Sequence, residues 1–132
     1  MKRLAIDVQQ GEYAVARLEP DAAVPEGLLA PGNGFVSVTR TAGELSVICP
    51  AALAPGDAKV EAGWRLLTVR GPLEFTLTGI IAALASELAA AGVALFTLST
   101  FDTDHVLVKQ SDLTRAEAAL RAAGHEVTQA AA

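Results

Sequence analysis

Two short runs of the chain carry residue types that could do chemistry together. Glu74-Phe75-Thr76-Leu77-Thr78-Gly79-Ile80-Ile81 leads into an apolar, helix-forming stretch. Thr76 and Thr78 can cap that helix, and Gly79 removes a side chain from its start. Exposed backbone N–H groups at the positive end of a helix dipole make a seat for a carboxylate. The second run, Ser99-Thr100-Phe101-Asp102-Thr103-Asp104, offers carboxylates for an ammonium group and hydroxyls for hydrogen bonds. A carboxylate seat facing acidic oxygens is what a zwitterionic α-amino acid requires. Ordinary helix capping and an ordinary hairpin turn account for the same residues.

Other chemistries lack their residues. Gly27, Gly32 and Gly34 do not have the spacing of a phosphate-binding loop after a strand. His105 and His125 have no second histidine at metal-ligand spacing. Asp102, Asp104 and His105 could ligate a metal in principle, but strand alternation puts Asp104 and His105 on opposite faces. A Ser99, His105, Asp102 triad is a matter of composition only. Neither a catalytic residue, a metal nor a cofactor is expected. Cys49 lies in the apolar run Leu45–Cys49 and reads as a buried, inert thiol.

The elements that must position the two runs follow from periodicity. Trp64–Arg70 reads as a strand stopped by Gly71-Pro72, and Thr78–Ala91 as a helix with Ile80, Ile81, Leu84 and Leu88 on one stripe. Gly92 stops that helix. Val93–Ser99 and His105–Lys109 read as strands joined by the turn Phe101–Asp104. A second helix, capped by Ser111 or Asp112, runs to Ala123 with Leu113, Ala116 and Leu120 on its stripe. His125–Thr128 is a last strand. Strand, helix, strand, strand, helix, strand is the ferredoxin-like pattern, an α+β fold with an antiparallel sheet.

The first half reads as a weaker copy. Phe35–Thr41 and Glu44–Ile48 form a hairpin, and without a gap Val38 falls on Leu98, Glu44 on Asp104, Val47 on Leu107 and Leu53 on Leu113. Tyr13–Leu18 before Pro20 resembles the strand at Trp64. Pro20, Pro25 and Pro31 leave space only for a short helix around Glu26–Ala30. The organisation expected is residues 1–62 as a first unit with a shortened first helix, 63–128 as a second, and 129–132 as a frayed tail.

Composition limits the partners. Fifteen acids against ten bases give a net charge of −5 over 132 residues. This excludes a dense basic surface for nucleic acid and a polybasic membrane anchor. The apolar stretch before Asp7 is too short for a leader peptide, and Glu87 interrupts the longest apolar region, so a cytoplasmic protein is expected.

Gly71-Pro72-Leu73, Thr78-Gly79-Ile80 and the run Leu98 to Lys109 resemble the ACT-domain proteins, as does the Phe35–Thr41 hairpin. The nearest branch is the small bacterial tandem-ACT proteins, related to the CASTOR arginine sensors and to aspartate kinase regulatory domains. The resemblance implies two tandem βαββαβ units used for non-catalytic, allosteric amino-acid sensing, with ligand held where units meet. Carried across by position, Thr76, Leu77, Thr78, Gly79 and Ile80 form the loop side. Thr100, Phe101 and Asp104 form the strand-end side, with Asp104 receiving the ligand's ammonium. Ala83 and Leu84 occupy positions that the partner unit supplies in the sensors. The arginine sensors carry acidic residues where Thr76 and Leu77 stand, so a guanidinium would lose charge partners that Glu74 replaces only in part. Leu77 and Phe101 suit a smaller or apolar side chain. A homodimer would restore the sensors' four-unit arrangement. The expected partners are therefore a free amino acid, a second copy of the chain and a regulated protein. The alternative function is a degenerate ACT pair that only mediates association.

Overall fold

A computed structural model describes residues 3–73 and 79–131. In chain order these form strands β1 (Ala5–Val8), β2 (Tyr13–Leu18), β3 (Ser37–Arg40), β4 (Leu45–Pro50) and β5 (Lys59–Val69), helix α1 (Ile80–Ala90), strands β6 (Leu95–Ser99) and β7 (Asp104–Lys109), helix α2 (Leu113–Ala122) and strand β8 (Glu126–Gln129). Two compact units divide them: a central unit, Gly11–Trp64, and a terminal unit of residues 1–10 with 65–132.

In the terminal unit the strands are ordered β6-β7-β5-β1-β8, with β5 represented by its second half. One face carries Leu4, Ile6, Val8, Leu67, Val69, Val106, Val108 and Val127 into a single core with α1 and α2. The period of α1 delivers Ile80, Leu84 and Leu88 to that core, and α2 delivers Leu113, Ala116 and Leu120. Each large side chain buried this way contributes about 1.5–3 kcal/mol. Helix α1 ends as expected at Gly92, whose positive φ of 76° lets Val93 N–H turn back to Leu88 O at 2.9 Å.

Three expectations are corrected here. Residues 1–10, placed with the first unit, belong to the terminal unit, because β1 pairs antiparallel with β5 and parallel with β8. The sheet is therefore not purely antiparallel, and β1 separates β8 from β5. The reason is the alternation of Leu4, Ile6 and Val8, all buried, with Ala5 and Asp7. The tail is also tied down further than expected: Gln129 pairs with Val8, and Ala130 N–H donates to Val8 O at 2.8 Å.

The central unit is an antiparallel sheet, β3-β4-β2 followed by the first half of β5. Its core is small: Ala16, Leu18, Leu28, Leu45, Val47 and the fully buried Cys49, whose thiol burial pushes up in pKa. No α-helix forms among its described residues. The short helix expected around Glu26–Ala30 is a series of turns, and the segment corresponding to the second helix is the single 3-10 turn Ala51–Leu53. Side chains hold the long connection in place of helical bonding. The Arg40 guanidinium donates to Pro20 O and, at 2.8 Å, to Ala22 O, while Asn33 Nδ2 donates to Gly27 O at 2.8 Å.

Candidate functional site

The site lies in the terminal unit, where the start of α1 faces the β6–β7 hairpin. Gly79 precedes the helix at φ 80°, a left-handed backbone that strongly favours glycine, and its carbonyl accepts the Ala83 N–H at 2.8 Å. The N–H groups of the first turn have no partner within the helix, and the dipole's positive end lies there.

The hairpin supplies the opposite wall. Ser99 and Asp104 are directly opposite in the β6–β7 register, and Ser99 Oγ donates to Asp104 Oδ1 at 2.5 Å. Residues 100–103 connect the strands in a tight turn, with Thr100 N–H donating to Thr103 O at 2.9 Å. This turn is stitched to the end of β5. Thr103 Oγ1 donates to Val69 O, and Leu73 N–H donates to Asp102 O at 2.6 Å. Gly71 permits the approach: a Cβ there would lie 2.9 Å from Asp102 O.

Between the walls is an open cavity of about 390 Å³, lined by Leu73, by residues 79–82 and by residues 99–104. Its described lining includes the carboxylates of Asp102 and Asp104 and no basic side chain. One wall is therefore acidic and the other is the positive end of a helix. That charge arrangement is complementary to a molecule carrying both an ammonium and a carboxylate. Ile80, Ile81 and the 79% exposed Phe101 supply apolar surface around it.

Gly79, Ile80, Thr100, Phe101 and Asp104 all line this cavity. Thr76, Leu77 and Thr78, expected on the loop side, and the neighbouring Glu74 lie outside the described residues. Ala83 and Leu84 do not line it: Leu84 is 2% exposed and packs in the core. Ser99, Asp102 and Thr103 also form the wall; the acidic run offers their carboxylate and hydroxyls, although the family resemblance assigns them no position. Leu73, Ile81 and Ala82 reach the cavity through the fold alone, without a chemical signal of their own.

His105 stands on the other face of the sheet, as alternation requires. The residue is 7% exposed, and burial pushes its pKa below the ordinary 6.5, against a smaller upward pull from Asp104. Nδ1 lies 3.0 Å from Thr68 Oγ1 and Nε2 lies 3.3 Å from Thr100 Oγ1. It does not join Asp102 and Asp104. Among the described residues no three His, Cys, Asp or Glu side chains are grouped to hold a metal ion.

Known proteins share both sequence and architecture with the chain. A family model described as an ACT domain matches residues 59–122, and another described only as an N-terminal domain matches residues 11–57. The crystal structure of protein Atu0741 from Agrobacterium tumefaciens is 38% identical, covers 100% of this chain and 97% of its own, and superposes with a TM-score of 0.90. The rat "Cytosolic arginine sensor for mTORC1 subunit 1" is 30% identical over 116 residues, 82% of this chain and 34% of the sensor. The chain thus spans about a third of the length of that curated relative. The aspartate kinase of Clostridium acetobutylicum shares the fold at 13% identity, with a TM-score of 0.65 over 91% of this chain and 33% of the kinase chain.

Proposed function

The chain belongs to the ACT-domain family, and on that premise we propose that it is a non-catalytic regulatory module that binds a free amino acid in the cavity between α1 and the β6–β7 hairpin. The observation that carries this reading is the Asp104 carboxylate, oriented by Ser99, in a cavity whose other wall is a helix start with no basic side chain among its described lining. In this reading Asp104 receives the ligand's ammonium, and the amides around Gly79 and Ile80 receive its carboxylate. Phe101 and Ile80 favour a small or apolar side chain over a guanidinium.

The sensing role is supported by the name of the sequence relative, a cytosolic arginine sensor, which also favours a cytoplasmic location. Among the described residues no helix is long and apolar enough to cross a membrane. A homodimer is part of the proposal. Phe101 at the cavity rim is 79% exposed and Phe96 on β6 is 44% exposed, and a second copy would cover such surface. In that arrangement Leu84, buried in the core, supports α1 from within its own unit, and the output is the affinity for a regulated protein.

A thermal-shift screen of the twenty amino acids tests the reading. At about 100 times its dissociation constant a ligand stabilises the fold by about 2.7 kcal/mol. A shift with one or a few amino acids is expected; no shift with any of them at millimolar concentration overturns the sensing role.

A further inference from the structure

The cavity is on the helix-covered face of the sheet, yet part of its wall is held from the opposite face. Thr100 forms cavity wall, and its hydroxyl also reaches His105 beneath. The directions of these bonds are constrained. A hydroxyl has one proton to give. The Thr100 hydroxyl gives it to Thr103 O at 3.2 Å, so towards His105 it accepts. With that direction His105 Nε2 carries the ring proton, and Nδ1, unprotonated, accepts from the Thr68 hydroxyl at 3.0 Å. The result is one directed chain: Thr68 to His105 to Thr100 to the Thr103 carbonyl. Burial of the imidazole keeps it in the neutral form that this direction needs.

We propose that His105 is a positioning residue for the ligand cavity: as a neutral imidazole protonated at Nε2, it transmits the anchorage of Thr68 on β5 to Thr100, and so fixes the turn that presents Phe101 and Asp102 to the ligand. Its consequence for affinity rests on the amino-acid reading of the cavity. Its structural content does not, because every bond in the chain joins two protein atoms.

The imidazole is more than filler in this scheme, and its replacements separate the two roles. In His105→Gln the amide nitrogen reaches the Nε2 position and can still donate to Thr100. In His105→Leu the volume remains but no donor does. Thr68→Val removes the far end of the chain without touching the cavity.

The first experiment is on the ligand-free, full chain. Ring 15N shifts of His105 in the wild type should show protonated Nε2 and bare Nδ1. The Thr100 amide should exchange its hydrogen roughly tenfold faster in His105→Leu, return to the wild-type rate in His105→Gln, and be accelerated to a lesser extent in Thr68→Val. A ring protonated at Nδ1, or equal exchange in the wild type and both His105 variants, overturns the proposal. Should His105→Leu fail to fold, the wild-type ring shifts and the Gln and Val variants decide it. The second experiment measures affinity for whichever amino acid raises the melting temperature, with roughly tenfold loss in Leu and retention in Gln expected. The ligand-free signatures found together with no amino-acid binding uphold His105's role and sink the reading of the cavity.

Discussion

Ser99 and Asp104 face one another across the last rung of the β6–β7 hairpin, and the serine hydroxyl holds Oδ1 of the aspartate at 2.5 Å. A carboxylate so held has one oxygen committed, and its other oxygen is directed by the same bond. Ser99→Ala should therefore weaken amino-acid binding by roughly tenfold, the value of a hydrogen bond to a charged group. Its effect on folding should stay within about 0.5 kcal/mol, since the serine is exposed. Calorimetric titration beside urea unfolding separates the two quantities.

Gly71 tests the stitching behind the site. A Cβ there would press on Asp102 O at 2.9 Å and on Thr103 Cβ at 3.2 Å, both in the cavity wall. Gly71→Ala should cost about 1–3 kcal/mol, as overpacking does. It should also displace the 100–103 turn, visible as amide shifts there in an NMR spectrum that leaves α2 unchanged.

Leu84→Ala should act on stability, through the core of the terminal unit. The side chain is 2% exposed and packs with the sheet face and α2. A loss of about 2–5 kcal/mol is expected in urea unfolding. In the proposed dimer, affinity for a second copy is the further quantity to follow, by light scattering against concentration.

Acid should destabilise the fold through both histidines. Burial pushes His105 and His125 below the ordinary 6.5, with Asp104 and Glu87 respectively pulling less strongly upward. Below 6.5 the unfolded chain thus binds more protons than the folded one, so folding stability falls as pH drops through the folded-state values. Above 6.5 the contribution is fully present. His125 has a structural reason to stay neutral, because its Nδ1 accepts the buried Leu4 N–H at 3.1 Å. Urea unfolding at pH 7.5 and 5.5 should show the loss, and His125→Gln should reduce it.

Local pattern made the terminal unit legible wherever an element could be read from its own residues. The stripe of Ile80, Leu84 and Leu88, the stop at Gly92 and the hairpin around Phe101–Asp104 all depend on neighbours in sequence. What escaped depends on distant partners. The β1 strand is four residues long, and its alternation gains meaning only beside β5 and β8. The connection after Leu18 was readable as proline-interrupted, but its hold by Arg40 is a tertiary fact. At the site, the acidic run announced Asp104. The bond from Thr68 to His105 spans 37 positions and leaves no local trace.

The central claim is that a free amino acid occupies the cavity between α1 and the hairpin, and the most direct measurement is a titration of 15N-labelled protein with the amino acid that stabilises it. Saturable shifts should concentrate at residues 79–82 and 99–104, the cavity lining, and vanish in Asp104→Ala. Shifts confined to the central unit, or unchanged binding in Asp104→Ala, would contradict it.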